Sequence, residues 1–199
     1  MGQVIAYPGT QGSFSAAAAQ EAFPSGRCIG FTTFPEAAQA VMEGRADYAL
    51  LPVENSFAGA VLPTYSLLER LPLHIVGETM KAVRHQLLAL EGAALEGIRQ
   101  IASHPQAIAQ CDEFLATLPE VQIIPSANTA ISAREVAESG DMTRAAIASE
   151  EAALAFGLTD CPAAQYSDQQ PEHHPLLHIV AGTEALGRAW EGHGGFPGE

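Results

Sequence analysis

The sequence is poor in basic residues. Its 199 residues include nine Lys and Arg, of which only Lys81 is a lysine, against 23 Asp and Glu, so the formal net charge is −14. Nucleic-acid and anionic-membrane surfaces need clustered basic side chains. The composition therefore predicts a protein that binds neither nucleic acid nor a membrane surface.

Cysteine and long apolar runs are also scarce. The three cysteines, Cys28, Cys111 and Cys161, are far apart and form no CxxC pair, which favours free thiols in a reducing compartment. The first residues lack the basic segment and apolar run of a signal peptide. No stretch approaches the roughly 18 apolar residues of a membrane span. We therefore expect a soluble, cytoplasmic protein.

What the sequence does contain is an alternation of short apolar runs with alanine-rich helical patterns, which is typical of an α/β fold. Two extended segments without a helix between them, 74–81 and 84–89, suggest that the chain crosses from one lobe to another there. The predicted strands are 4–7, 28–31, 48–53, 100–103, 121–125, 145–148 and 178–181. The predicted helices are 13–23 or 15–23, 35–43, 61–70, 106–118, 129–139 and 150–156.

The last predicted strand lies far along the chain and is expected to rejoin the first lobe. Residues 1–77 plus 176–190 would then form lobe 1 and residues 78–175 lobe 2, with a polar loop over 166–175. The glycine-rich residues 191–199 are expected to be a flexible tail.

Polar clusters follow the predicted strands just where helices begin. In open α/β sheets ligands bind at the carboxyl ends of strands, where helix N-termini hold carboxylates without lysines. Each cluster alone is an ordinary helix cap, but together they favour a small anionic ligand in a cleft. The four clusters are residues 9–15, Glu54-Asn55-Ser56, Ser103-His104-Pro105-Gln106 and Ser126-Ala127-Asn128-Thr129.

Other kinds of site find little support. The neighbouring histidines His173 and His174 would point apart in an extended loop, and there is no HExxH motif, so no metal site is expected. The turn 9–12 lacks the Lys-Ser/Thr of a P-loop and the third glycine of a dinucleotide fingerprint. No serine lies in a GxSxG motif.

Several blocks, in this order and at this spacing, together resemble the prephenate dehydratase family over about residues 3–182. Two of them, Pro-x-Glu-Asn-Ser and Ser-His-Pro-Gln-Ala, are specific in combination. The blocks are residues 7–15 (YPGTQGSFS), 51–61 (LPVENSFAGAV), 84–88 (RHQLL), 103–107 (SHPQA) with Gln110-Cys111, 128–130 (NTA) and 145–149 (AAIAS).

The resemblance implies two α/β lobes of the periplasmic-binding-protein type (class II), joined by a double crossover, with the active site in the cleft. It implies conversion of prephenate to phenylpyruvate with loss of carbon dioxide and water, without cofactor or metal because aromatisation drives the step, and it implies a homodimer. The residues that would act in catalysis are Asn55, Ser56, Ser103, Gln110 and Thr129, and those that would bind substrate are Thr10, Gly12, Ser13, Phe14, Glu54, His104, Gln106 and Asn128.

One block departs from the family. Members carry Thr-Arg-Phe before the last strand, and its threonine is considered to assist hydroxyl departure, whereas this chain has Pro175-Leu176-Leu177. His174 is the first candidate for a replacement proton donor, because the residue before a proline is held extended, and His173 the second. His178 lies within the apolar strand pattern and is expected to point into the sheet or along its face.

The departure leaves three interpretations open. The first is a prephenate dehydratase, the second a prephenate decarboxylase that keeps the ring hydroxyl, and the third a non-catalytic binder of small anions. Many relatives carry a C-terminal ACT domain that binds phenylalanine, and because few residues follow the last strand, no such feedback domain is expected.

Overall fold

The computed structural model describes residues 2–161 and 174–183, with side chains from Leu176 onward in the second range. These residues form two α/β units, so the predicted fold class is confirmed. Unit 1 contains residues 2–10, 14–82 and 174–183, and unit 2 contains residues 11–13 and 83–161.

The elements follow the predicted alternation closely. Their bounds are β1 (Val4–Pro8), α1 (Phe14–Ala22), β2 (Arg27–Phe31), α2 (Phe34–Met42), β3 (Tyr48–Asn55), β4 (Gly59–Ala60), α3 (Leu62–Arg70), β5 (His74–Val83), β6 (Gln86–Ala89), β7 (Gln100–Ser103), α4 (Pro105–Gln110), α5 (Asp112–Ala116), β8 (Gln122–Pro125), α6 (Thr129–Ser139), β9 (Arg144–Ala148), α7 (Glu150–Phe156), β10 (Thr159–Asp160) and β11 (His174–Gly182). A 3₁₀ turn covers Leu95–Gly97. The lobe boundary predicted at residues 77 and 78 falls inside β5.

Unit 1 is built on a mixed sheet with strand order β2-β1-β3-β11-β5, and β4 pairs with β3. β1 runs parallel to β2 and β3, whereas β11 is antiparallel to β3. β3 is buried along most of its length because both faces of the sheet are covered. Leu51 packs with Val41 of α2 on one face, and Leu50 packs with Phe23, which follows α1, on the other.

Unit 2 is built on a second mixed sheet, in the order β10-β6-β9-β7-β8. β7 runs parallel to β8 and β9, and β6 is antiparallel to β9. Adjacent residues of β9 point to opposite faces, as expected of a strand. Ile147 packs with Ile101 and Phe114, and Ala146 packs with Val136 of α6.

The predicted helix 106–118 is wrong as a single helix. It ends at Gln110, and a second helix begins at Asp112, with Cys111 between them at φ −114° and ψ 17°. The Cys111 N–H donates to the Ile108 carbonyl, three residues back rather than four, and the Asp112 carboxylate accepts from the Glu113 N–H at 2.8 Å. An acidic residue that binds the first N–H groups favours a new helix start.

The remaining differences are small. The two-residue strands β4 and β10 were not predicted, because two residues carry no readable alternation. Of the loop predicted over 166–175, residues 166–173 lie outside the described residues, and the backbone of residues 174 and 175 belongs to β11. Within the described residues, no helix is long and apolar enough to cross a membrane.

Candidate active site

The residues predicted to act on substrate are divided between the two units. Most of them stand at the carboxyl ends of strands or at the first turns of the helices that follow, which is where α/β sheets bind ligands; Gln110 instead ends α4 and His174 opens β11. Unit 1 holds Thr10, Phe14, Glu54, Asn55, Ser56 and His174, and unit 2 holds Gly12, Ser13, Ser103, His104, Gln106, Gln110, Asn128 and Thr129.

Asn55 ends β3 and forms a turn with its own side chain. Its Oδ1 accepts from the N–H groups of Phe57 at 2.9 Å and Ala58 at 3.0 Å, and β4 then pairs back onto β3. The side chain is buried, whereas Glu54 and Ser56 on either side are exposed. Because Oδ1 is used within the turn, the Nδ2 amino group is the part of Asn55 that can donate to a ligand.

The block that departs from the family lies beside Asn55. Leu176 is paired with Asn55 and Leu177 with Glu54 in the antiparallel ladder between β11 and β3. The start of β11 is therefore at the same edge of the sheet as the end of β3. The backbone of His174 and Pro175 opens β11, while the side chain of His174 and all of His173 lie outside the described residues.

Ser15 and His178 form a buried pair in unit 1. Ser15, in the first turn of α1, has its Oγ 3.1 Å from Nε2 of His178, and Nδ1 of the same ring is 3.1 Å from the Leu176 carbonyl oxygen. Ser15 is 7% exposed and His178 is fully buried. Burial lowers the pKa of His178 to about 4, against a smaller opposing effect of the Leu176 carbonyl, so the ring is neutral near pH 7.

Thr10 follows β1, which runs parallel to β3. Thr10 is therefore at the same edge of the sheet as Asn55. Its Oγ1 is buried and has no hydrogen-bond partner within the described residues. A buried hydroxyl without a partner costs free energy, and such atoms are exceptions in folded proteins. Thr10 is therefore suited to bind a polar atom of a ligand.

Ser103 ends β7 in unit 2 and is fully buried. Its hydroxyl donates to the Ile147 carbonyl oxygen of β9 at 2.7 Å. The substrate contact predicted for this residue stays a prediction, and the structure assigns its hydrogen to a bond between two strands.

The start of α4 contains two further residues of the predicted site, His104 and Gln106. Nδ1 of His104 accepts from the Gln106 N–H at 3.2 Å and so caps α4, and burial lowers the pKa of His104. At the other end of α4, Oε1 of the buried Gln110 is 2.7 Å from Nε2 of His85, which therefore donates to it. His85 lies between β5 and β6, so this bond fixes the amide of Gln110.

Two more helices of unit 2 begin at the same edge. Oδ1 of Asn128 accepts from the Ile131 N–H at 2.8 Å and caps α6, leaving Thr129 half-buried at its first position. Ser149 caps α7 by accepting from the Ala152 N–H at 3.1 Å. Caps of this kind use one or two of the first N–H groups of a helix and leave its partial positive charge in place.

Ser149 also holds the turn that contains Gly12. Its hydroxyl donates to the Gly12 carbonyl oxygen at 2.8 Å. Gly12 has φ +80°, and a Cβ there would lie 2.9 Å from Cα of Ala152. Only glycine fits this close contact in that conformation, and Ser13 follows it half-buried.

A sequence model of the prephenate dehydratase family matches residues 5–171. The chain belongs to the prephenate dehydratase family. It is 42% identical, over 154 residues, to "Arogenate dehydratase/prephenate dehydratase 2, chloroplastic" of Arabidopsis thaliana, an alignment that covers 77% of this chain and 40% of that protein. The chain thus spans about 40% of the length of such curated relatives.

Solved structures agree with membership of the prephenate dehydratase family. A prephenate dehydratase from Arthrobacter aurescens, in complex with L-Phe, is 27% identical with a TM-score of 0.80, covering 92% of this chain and 61% of that one. A protein described as a novel type of quorum quenching acylase, GqqA, is 32% identical with a TM-score of 0.81, covering 92% and 65%. These likenesses extend over both units.

Sequence reasoning did not assign a role to three of the residues described above. His85 and Ser149 lie in blocks shared with the family but have no predicted role, and for His178 the only prediction is that it points into the sheet or along its face. A lone histidine in an apolar strand, such as His178, indicates a buried hydrogen-bonded pair, because a buried imidazole needs hydrogen-bond partners. Ser149 is followed by two acidic residues, and a serine before acidic residues is a sequence pattern that predicts a helix N-cap.

Proposed function

We propose that this chain converts prephenate to phenylpyruvate by decarboxylating dehydration, as a step of phenylalanine synthesis. The observation that carries the proposal is the family match over residues 5–171, which includes every predicted site residue except His174. The reaction needs no redox partner, because formation of the aromatic ring drives loss of carbon dioxide and water. The protein has to bind two carboxylates, desolvate one of them and assist the departing hydroxyl.

Neutral groups are proposed to bind the carboxylates, because the chain has few cations. In unit 1 these are Nδ2 of Asn55 and Oγ1 of Thr10, whose hydroxyl lacks a partner within the described residues. In unit 2 they are Thr129 and the first N–H groups of α6, an eleven-residue helix whose N-terminus attracts anions.

Gln110 is proposed to act at the reacting end, and Ser103 to position the residues that follow β7. Gln110 is fixed by His85 through its Oε1, so its amide N–H groups are the donors it can offer. Ser103 gives its hydrogen to Ile147, and its contribution is therefore to hold the carboxyl end of β7, from which His104 and Gln106 follow.

Decarboxylation without dehydration is a second candidate function. It is favoured by one observation, the pairing of Leu176 with Asn55. Where the family has a threonine hydroxyl and an arginine, this chain has Pro175 and Leu176. Neither of these side chains can donate a proton at the edge of the sheet beside Asn55. His174 is the proposed replacement, and a decarboxylase would not need one.

Hydrolysis of an amide, suggested by the name of GqqA, is not supported by the Ser15–His178 pair. A serine nucleophile requires that histidine take its proton and carry a positive charge. Burial holds the pKa of His178 at about 4, which disfavours that charge. We therefore do not propose an acylase.

The cellular setting is also a proposal. All three cysteines are free thiols, which suits a reducing compartment such as the cytoplasm; the Arabidopsis relative is chloroplastic by name. A homodimer is proposed because large apolar side chains, among them Leu62 and Met80, are exposed and a second copy would cover such surfaces. Light scattering at micromolar concentration would give a monomer mass if the dimer is wrong.

The experiment that tests the function is incubation with prephenate while both products are followed. Phenylpyruvate, read by its absorbance in alkali, supports the dehydratase. A dihydro-hydroxyphenylpyruvate, identified by mass spectrometry, supports the decarboxylase. Calorimetric binding of prephenate without turnover would overturn both enzymes in favour of an anion binder.

A further inference from the structure

The pair formed by Ser15 and His178 has a definite hydrogen-bond polarity. A carbonyl oxygen only accepts, so Nδ1 of His178 must carry the hydrogen that reaches the Leu176 oxygen at 3.1 Å. A neutral imidazole carries one hydrogen, and Nε2 is then an acceptor. The Ser15 hydroxyl, 3.1 Å away, is therefore the donor of this bond.

The neutrality of the ring rests on its surroundings. His178 is fully buried in β11, opposite Pro52 of β3, and the two groups described at its nitrogens are a hydroxyl and a carbonyl. The direction of its pKa shift follows from the same burial. A charged imidazolium without a carboxylate would be costly there.

This polarity limits what Ser15 can do for a ligand. A hydroxyl has one hydrogen and two lone pairs, and the hydrogen is used on His178. Ser15 can therefore accept a hydrogen bond but cannot donate one to a carboxylate or a ketone.

The position of Ser15 connects this property with the site. It lies in the first turn of α1, directly after Phe14, and Thr10 lies in the loop between β1 and α1. Its partner His178 is two residues from Leu176, which pairs with Asn55. A small part of its surface remains exposed.

We propose that Ser15, held by His178, is an acceptor site for a hydrogen-bond donor of the substrate, with His178 as its positioning residue. The inference rests on the proposed function. Two donors fit it: the ring hydroxyl, which prephenate and arogenate share, and the ammonium group, which arogenate carries in place of the ketone of prephenate. In the second case the pair selects arogenate over prephenate.

The test compares turnover of the two substrates by variants of both residues. Ser15→Ala removes the acceptor, and His178→Leu frees the Ser15 hydrogen. We expect kcat/KM to fall mainly through KM, by about 10- to 150-fold if the ligand donor is a charged ammonium and by about 2- to 12-fold if it is a neutral hydroxyl. A loss with arogenate alone identifies the ammonium, and a loss with both substrates identifies the hydroxyl.

Two controls separate this role from a structural one. His178→Gln can offer an oxygen to Ser15, so it should restore KM toward the wild-type value, while His178→Leu should not. Thr64→Val removes another buried hydroxyl of unit 1, which donates to Pro52 at 2.6 Å, and should lower the unfolding midpoint without raising KM.

The outcomes are distinct. The proposal is overturned if KM for both substrates is unchanged in Ser15→Ala and His178→Leu. It is also overturned if KM rises in Thr64→Val or in His178→Gln by as much as it does in those two variants. Wild-type protein that turns over neither substrate shows instead that the proposed function is wrong.

Discussion

Ser103 and Ile147 are joined across two parallel strands by a hydrogen bond of 2.7 Å from the serine hydroxyl to the isoleucine carbonyl. Ser103 is the last residue of β7, and the ladder between β7 and β9 has Ala102 and Ala146 as its last paired residues. The hydroxyl thus continues the pairing beyond the ladder, at the edge where the predicted site residues of unit 2 begin.

Replacing Ser103 with alanine should therefore lower stability. The Ile147 carbonyl would lose its partner in a fully buried position, and the free energy of unfolding should fall by about 1–3 kcal/mol. Urea denaturation measures this change. Thr129→Ala is the matched control, since Thr129 is half-buried at the first position of α6: it should reduce prephenate turnover with a smaller change in stability. Equal stability of Ser103→Ala and wild type would contradict the structural role.

Gly12→Ala should destabilise unit 2 more than a similar change at Gly140. Both glycines have positive φ, +80° and +63°, but only the Cβ added at Gly12 meets a neighbour, Cα of Ala152 at 2.9 Å. The strain of φ should cost each variant about 1–2 kcal/mol, and the clash a further 1–3 kcal/mol or so at Gly12. Thermal unfolding of the two variants measures the difference, and equal midpoints would refute the close contact.

His178 should make stability depend on pH below neutrality. Its pKa is about 4 in the folded chain against 6.5 ordinarily, so between these values the unfolded chain binds a proton that the native chain does not. The contribution is complete above about pH 6.5 and is lost as the pH falls toward 4, by about 2 kcal/mol at pH 5. The unfolding free energy of wild type between pH 7 and 5 should fall more steeply than that of His178→Gln. Parallel slopes would mean that the ring titrates normally.

Asn55 offers a comparison that separates turn formation from binding. Asn55→Asp keeps an oxygen for the N–H groups of Phe57 and Ala58, but it loses the Nδ2 donors and adds a negative charge beside an anionic substrate. Asn55→Ala loses both properties. We expect the aspartate variant to keep its unfolding midpoint while KM for prephenate rises at least tenfold or so, and the alanine variant to lose both. An aspartate variant with wild-type kinetics would remove Asn55 from the site.

The proton donor for hydroxyl departure is tested at the start of β11. If His174 supplies the proton, dehydration should slow as the pH rises through about 6.5–7, where a free imidazole loses its proton. His174→Ala should then lose on the order of 10²–10⁴-fold in turnover, and Pro175→Thr should make activity less dependent on pH and on His174. A flat profile with a fully active His174→Ala would favour the decarboxylase instead.

The fold was predictable because its elements differ in pattern from one another. The strand at residues 100–103 and the helices 129–139 and 150–156 have the predicted bounds exactly, since apolar runs, caps and the C-terminal glycines Gly140 and Gly157 mark their ends. The break at Cys111 was missed because Ala107 and Ala109 before it and Leu115 and Ala116 after it continue a helical pattern. The helix breaks there because a second helix begins at Asp112, whose carboxylate accepts from the Glu113 N–H.

The site was predictable only as a set of positions. The strand ends and helix starts could be predicted from the sequence. That the Ser103 hydroxyl donates to the Ile147 carbonyl, or that the Asn55 side chain closes a turn, could not. Those bonds depend on which strand lies next to which, and strand order is a property of the whole sheet. The same holds for Ser15 and His178, which are 163 residues apart.

The position of β11 in the sheet has a consequence for synthesis on the ribosome. β11 lies between β3 and β5, although almost a hundred residues separate it from β5 in sequence. Every strand of unit 2 leaves the ribosome before β11 does, so unit 2 can collapse while β3 and β5 still lack the strand between them. Long-range pairing of this kind slows folding and leaves strand edges exposed. A nascent chain stalled before residue 174 should therefore bind chaperones through unit 1 and resist proteolysis through unit 2.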